Sequence, residues 1–261
     1  MGTLIGTGGG NNYGGVRRIH GWTTMPYHER SLYDIFRQIS SVSEGSGVFN
    51  VVIGDTKMFY KTIHDKDENY VLTRGKTRKG VIAACFLYAC NKRNVARTEL
   101  DVAALFNIEV KTLTKGTKKF REIMWKKGNK VYFSPISPLV YIERFCNILN
   151  ITEEHADIAK FIAYRCTKLN ITNSNIPLSI TGGSIYTVSM LYEYSTINVK
   201  KIEQISTVGD GTIINFYKKV INHIEHIIPR HVLIKTPMVK TIIRKKMNLS
   251  DDISDAILKF F

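Results

Sequence analysis

Residues 97–120 read RTELDVAALFNIEVKTLTKGTKKF and residues 197–220 read INVKKIEQISTVGDGTIINFYKKV. Placed one above the other with no gap, at a constant offset of 100, the two stretches agree in chemistry. Val102 falls on Ile202, Leu105 on Ile205, Ile108 on Val208 and Leu113 on Ile213. Thr112 falls on Thr212, and Lys118-Lys119 on Lys218-Lys219. Upstream, Leu87-Tyr88 matches Leu191-Tyr192 at an offset of 104, so the loop between the two matched blocks is expected to be four residues shorter in the second copy. A fixed period of this kind marks a duplicated structural unit. The chain therefore reads as two homologous units of roughly 100 residues each.

Within each unit the apolar spacing is helical. Tyr33, Phe36 and Ile39 form an i, i+3, i+6 stripe, with Ser31 as the expected cap. A second segment spans roughly 48–64. The third, VIAACFLYACN from Val81, is apolar nearly all round, as a helix at the centre of a bundle must be. Segments at about 99–106 and 110–126 complete the first unit. The second unit repeats them at about 137–149, 153–169, 183–195, 199–206 and 211–223. The stretch GSIYTVSMLYEYS at 183–195 also has the β-branched and aromatic content of a strand, and the repeat decides for helix. Ser134-Pro135-Ile136-Ser137-Pro138 is the expected linker between units. The expected class is all-α, with two tandem five-helix domains at 27–132 and 133–229. A flexible Gly- and Asn-rich segment precedes them at 1–26, and a basic tail follows at 230–261. That tail closes on DDISDAILKFF, an acidic and apolar stretch suited to a short amphipathic helix.

The last two helices of each unit have the form of a helix-turn-helix pair, whose second helix can enter a major groove about 12 Å wide. Asn107 marks the turn in the first unit. Gly209-Asp210-Gly211 supplies it in the second, with Asp210 as the expected cap. Charge supports the same reading. The 261 residues carry 37 Lys and Arg against 22 Asp and Glu, a net charge of +15, which favours a polyanionic partner. From 111 to 130 the bases are Lys111, Lys115, Lys118, Lys119, Arg121, Lys126, Lys127 and Lys130, against Glu122 alone. If about six of these meet phosphates, log K falls with log salt at a slope of about −5. The candidate DNA-binding residues are thus Lys111, Lys115, Lys118, Lys119, Lys126 and Lys127 in the first unit, with Thr212, Asn215, Lys218 and Lys219 in the second.

Two helical repeats, the first with RKGVIAACFLYAC then RTELDVAALFNIEVKTL and the second ending TVGDGTIINFYKKV, resemble the paired cyclin-like repeats of the transcription factor IIB family. LVYIERFCNILNI is similar to the opening helix of that family's second repeat. LIGTGGG, Arg17-Arg18 and TTMPYHERSLYDIFRQI are similar to its linker and polymerase-contacting segment. The resemblance covers about residues 3–235. It implies a general initiation factor that has no catalytic site and that clamps promoter DNA and TATA-binding protein and docks on RNA polymerase. It also implies polymerase or template-strand contacts for Arg17, Arg18 and Arg30. The family normally carries a zinc ribbon, yet no CxxC pair occurs here, so the ribbon is either absent or on a longer chain. Positions that the family commonly fills with Val and Arg in its second recognition helix are Gly211 and Ile214, so its promoter-element specificity does not carry over. The Ile-, Lys- and Asn-rich composition fits an AT-rich genome, such as that of a large DNA virus or a protist, and the resemblance then implies a nucleus or, for a virus, a cytoplasmic viral factory.

A cyclin that activates a kinase is the chief alternative, since it uses the same two-repeat bundle. It has no need of a +15 surplus or of lysines on the last helix of both units. Other motifs point nowhere. Gly6-Thr7-Gly8-Gly9-Gly10 lacks the spacing and Lys of a phosphate loop. Cys85, Cys90, Cys146 and Cys166 read as buried, reduced thiols. His223, His226 and His231 have no completing ligand, and Asp65, Asp67 and Glu68 lack the register of a calcium loop. Asn150-Ile151-Thr152, Asn170-Ile171-Thr172 and Asn248-Leu249-Ser250 match the glycosylation tripeptide by chance. No signal peptide and no membrane-length apolar run is present. No cofactor, metal or membrane is expected, and the free chain is expected to be a monomer.

Overall fold

The computed structural model describes residues 26–44, 47–65, 73–128, 136–171, 176–228 and 232. Eleven helices and no strand occur among them. The first five are α1 (Tyr27–Glu44), α2 (Asn50–His64), α3 (Gly75–Lys92), α4 (Glu99–Leu105) and α5 (Val110–Lys126). Then come α6 (Pro138–Ile148), α7 (Glu153–Lys168), α8 (Pro177–Leu191), α9 (Val199–Ser206), α10 (Asp210–Asn222) and the single turn α11 (Ile224–Ile227). They form two compact units, the second of which also takes in residues 91–100. Ala96 lies in the second unit's core, and Arg144 Nη1 donates to its carbonyl at 3.1 Å.

In the first unit α3 is buried without a break from Gly80 to Cys90, so it is the central helix that its all-round apolarity predicts. Its start is fixed by Arg78, which donates from Nε to Tyr60 Oη at 3.0 Å and from Nη2 to Ser31 Oγ at 2.6 Å. Ser31 therefore ties α1 to α3 and is not a cap. Helix α1 starts earlier, where the Pro26 carbonyl accepts the first helical bond from the Arg30 N–H at 3.0 Å. Farther along α3, the Tyr88 ring meets Phe120 of α5 with centroids 4.1 Å apart. Between these points Gly80 and Gly116 bring the α3 and α5 backbones into direct contact. A Cβ on Gly80 would meet the Thr112 carbonyl oxygen at 2.5 Å, and one on Gly116 would overlap the Gly80 carbonyl group.

The second unit builds the same centre differently. Helix α8 packs on α6, α7, α9 and α10. The position equivalent to Gly116 is Phe216, whose ring lies where a Cβ on Gly183 would go. A phenyl ring thus separates two helix backbones that touch in the first unit, and helix spacing is set by just such contact residues. The interior of α8 is rich in hydroxyls; helix carbonyls take up three of them, while Ser184 Oγ is buried with no hydrogen-bond partner among the described residues. Thr181 Oγ1 donates to Pro177 O at 2.9 Å, Thr187 Oγ1 to Gly183 O at 2.8 Å and Ser189 Oγ to Tyr186 O at 2.9 Å. Thr187, one of the β-branched residues behind the strand-like reading, is therefore satisfied within a helix. Helix α8 starts at Pro177, where a missing N–H costs nothing, six residues ahead of the expected start. The shortening in the second copy falls in this helix, 15 residues against 18 in α3, and not in the connection after it.

Three helices end on the same device. Asn107, Asn150 and Asn170 adopt φ of 50°, 54° and 51°. The following isoleucine N–H reaches back to Ala103 O, Cys146 O and Cys166 O at 2.9, 2.9 and 3.2 Å respectively. This is the Schellman arrangement, with Asn in the left-handed position that Gly usually takes. Two of the tripeptides that match the glycosylation pattern are therefore helix stops. Asn holds the left-handed turn, Ile151 buries behind it, and Thr152 stands at the N-cap position of α7. Asn150→Ala should lower the melting temperature by roughly 4–8 °C, about 1 kcal/mol of left-handed strain in one domain. Asn150→Gly should leave it near wild type. Thermal unfolding followed by circular dichroism checks both.

His155 closes α7 against the end of α8. Its ring stacks on Tyr192 with centroids 3.7 Å apart, and Nδ1 lies 2.6 Å from Tyr194 Oη. Desolvation holds its pKa below the ordinary value of 6.5. The neutral form is thus favoured on folding, and this stability is present above pH 6.5 and is lost as pH falls below it. Melting of the chain between pH 7.5 and 5 should show a decline that His155→Gln flattens. Burial also raises the pKa of the Cys85 thiol and pushes those of Cys146 and Cys166 to about 12. All four cysteines are buried, and none is in a disulfide.

Candidate nucleic-acid interface

Each unit contains the short helix, tight turn and longer helix that the repeat predicts, closing the helices of the first unit and standing just before α11 in the second. In the first, α4 stops at Asn107 and α5 starts at Val110. In the second, α9 ends with Thr207 in the left-handed position at φ 60°, its N–H on Glu203 O at 2.8 Å. The turn is thus made by Thr207 and not by the two glycines, since Gly209 has φ −57° and stands at the N-cap. Asp210 is the first helical residue of α10, and its Oδ1 accepts from the Gly211 N–H at 2.6 Å. It places a carboxylate at the helix N-terminus, favourable to the dipole but unfavourable to an approaching phosphate.

Leu113, Gly116, Thr117, Phe120, Ile123 and Met124 bury the inner face of α5. Its outer face carries Lys111, Lys115 and Lys118, all exposed, in an i, i+4, i+7 line that continues into Glu122. Among the described residues these three lysines make no ion pair. Two other candidates are partly neutralised. Lys119 Nζ lies 3.0 Å and Lys126 Nζ 3.4 Å from the two oxygens of Glu122. The hydrogen bond from Lys119 leads the effects that hold the Glu122 carboxyl below its usual range. Lys127 turns away and donates to the Asp65 carbonyl at 2.8 Å, joining the ends of α5 and α2.

On α10 the structure brings all four candidates together. Thr212, Asn215, Lys218 and Lys219 line one shallow depression of about 380 Å³ over Phe216, with Asn222 completing it. The repeat offset superposes the two faces residue by residue. Lys111, Lys115, Lys118 and Glu122 correspond to Gly211, Asn215, Lys218 and Asn222. The first face is cationic, and the second is polar with amide groups able to hydrogen-bond base edges or phosphates. Asn222 was not among the expected residues, although the four-residue step from Lys218 reaches it. The pairing of Glu122 with Lys119 and Lys126 is equally readable, from their i−3 and i+4 positions.

Arg30 is half-buried on α1, its guanidinium 5.8 Å from the Tyr27 ring centre. Arg17, Arg18, Lys130, His231, the expected linker's Ser134 and Pro135 and the tail beyond 232 lie outside the described residues. Among the described residues no three His, Cys, Asp or Glu side chains converge as a metal requires, and no helix is long and apolar enough to cross a membrane.

The family model for the transcription factor TFIIB repeat matches residues 28–123 and again 133–223. The chain is 33% identical over 228 residues to a transcription initiation factor IIB-like protein of Acanthamoeba polyphaga mimivirus, covering 83% of this chain and 48% of that one. It is 24% identical over 229 residues to transcription initiation factor IIB of Dictyostelium discoideum, covering 88% and 68%. It is 24% identical over 215 residues to that of Saccharomyces cerevisiae, covering 80% and 61%. The chain thus spans about half the length of the viral relative.

Proposed function

Because the chain belongs to the transcription factor IIB family, we propose that this initiation factor grips promoter DNA and TATA-binding protein through its two repeats and bridges them to RNA polymerase. The observation that supports the reading best is the pair of equivalent outward faces on α5 and α10, one lysine-rich and one amide-rich, at matching positions of the duplicated helix-turn-helix. The lysines of α5 supply sequence-independent attraction to phosphate. Thr212, Asn215 and Asn222 supply shorter polar contacts. With Gly211 and Ile214 where the family commonly has Val and Arg, α10 adds little base specificity, and placement on the promoter falls to TATA-binding protein. Such a factor works in a nucleus, or in a cytoplasmic viral factory if the chain is viral.

The test is a gel shift on a TATA-containing duplex, with and without TATA-binding protein, at two salt concentrations. A salt-sensitive supershift that needs TATA-binding protein is the expected result. Equal binding without that protein would reduce the chain to a general DNA binder. No binding under either condition would overturn the reading and return the kinase-activating cyclin to first place. Glu122→Gln should tighten the complex by roughly threefold and steepen the log–log salt slope by about one, because it releases Lys119 and Lys126. Titrating that variant on the same duplex checks this.

A further inference from the structure

The second half of α7 presents an outward face that the DNA-binding reading does not use. Phe161, Tyr164, Arg165, Lys168 and Leu169 follow the i, i+3, i+4, i+7, i+8 pattern of one helix surface. Tyr164 is 50% and Leu169 45% exposed, and Phe161 is 36% exposed. Each ring carries a cation: Arg165 lies 5.5 Å from the Phe161 centroid and Lys168 5.2 Å from that of Tyr164, with Lys168 Nζ donating to Tyr164 Oη at 2.8 Å. The patch is therefore apolar, aromatic and basic, fitted to a ligand that is apolar and acidic. Lys160 adds nothing to the charge, since Asp157 pairs with it at 3.1 Å.

This chain contains a segment of that chemistry. Residues 251–261, DDISDAILKFF, carry three Asp against one Lys in a protein that is +15 overall. Ile253, Ala256, Ile257 and Phe260 stand at i, i+3, i+4, i+7. The segment lies beyond both family repeats. The path of the chain favours the pairing. Helix α11 packs on α7, and Ile227, Ile228 and Val232 are buried in the same core, so the chain leaves the second unit close to α7. The 18 residues 233–250 reach up to about 60 Å when extended, against an α7 length of about 24 Å. A tethered segment meets such a face at an effective concentration in the millimolar range.

We infer that the outward face of α7's second half is the docking site of this chain's own acidic amphipathic segment, residues 251–261. Cross-linking of the full-length chain tests it. With Tyr164→Cys and Phe260→Cys introduced together, mild oxidation should give an intramolecular disulfide at least tenfold faster than in a chain carrying Tyr33→Cys and Phe260→Cys. Tyr33 is a comparably exposed position on the first unit, and the native thiols are buried. Leu169→Cys replaces Tyr164→Cys if the latter variant fails to fold. Asp251→Lys, Asp252→Lys and Asp255→Lys together should bring the rate down to the control, and adding Arg165→Asp and Lys168→Asp should restore it. Equal rates at both positions, or no dependence on the aspartates, would overturn the proposal. A disulfide found only between two copies would also overturn it and assign the face to a neighbouring molecule's segment.

Discussion

Gly116→Phe, which installs the residue found at the equivalent place of the second repeat, is expected to unfold the first unit while the second stays folded. The Gly116 Cα hydrogens face the Gly80 backbone, and even a Cβ there would overlap a peptide group. A flexible side chain can step aside from such a clash, whereas a helix backbone can yield only by separating α3 from α5. Separation would open the packing of Phe86, Tyr88 and Phe120, all fully or nearly fully buried. Gly116→Ala alone should cost about 3 kcal/mol, the upper range for overpacking, and lower the unit's melting temperature by roughly 12–24 °C. The Phe variant should exceed this. Hydrogen exchange read by mass spectrometry distinguishes the units: α3 amides should lose protection and α8 amides retain it. Gly54→Ala is the control. It lies in α2 with nothing within 4 Å of its added Cβ, so it should stabilise by about 0.5–1 kcal/mol. A Gly116→Ala variant as stable as wild type would refute the backbone contact.

The second large effect concerns binding. Lys111→Ala, Lys115→Ala and Lys118→Ala together should reduce the magnitude of the log–log salt slope for promoter-complex formation by about 2.7, at about 0.9 per phosphate contact. Replacing the same three by Glu should weaken the complex by at least ~100-fold at moderate salt, because repulsion then adds to the lost attraction. Lys118→Glu with Lys119→Glu should give a smaller loss, since Lys119 is already engaged with Glu122. The matched control neutralises Lys61, Lys76 and Lys79, which are equally exposed on α2 and α3. If that control shifts the slope as far as the α5 triple variant, net charge and not the α5 face governs binding. Far-ultraviolet circular dichroism should show all these surface variants folded.

The duplication made most of the architecture legible. Aligning 97–120 with 197–220 placed α4, α5, α9 and α10 within a residue or two of where they lie, because a helix-turn-helix needs its apolar positions at fixed spacing. The burial of α3 followed from its lack of any polar face. What was hidden depended on partners distant in sequence. Ser31 looked like a cap until Arg78, 47 residues away, claimed its hydroxyl. The segment expected to open at Gly183 starts at Pro177, so Gly183 sits inside α8, where the Phe216 ring, 33 residues away, fills the space above it. In the candidate interface the residue types and the outward faces were readable. The loss of Lys127 to the Asp65 carbonyl was not, since it rests on where α2 ends relative to α5.

The asparagine helix stops bear on how such a gene can change. Six non-glycine residues among the described ones hold a positive φ, four of them Asn, against three glycines. Glycine codons all begin with GG, while Asn, Ile and Lys can be written with A and T alone. Asn is one of the few other residue types that enter the left-handed turn at low cost. A coding sequence drifting toward A and T can therefore exchange helix-stop glycines for asparagines with little loss of stability. The Asn-Ile steps at 107, 150 and 170 let nucleotide composition and helix geometry be satisfied by the same codons.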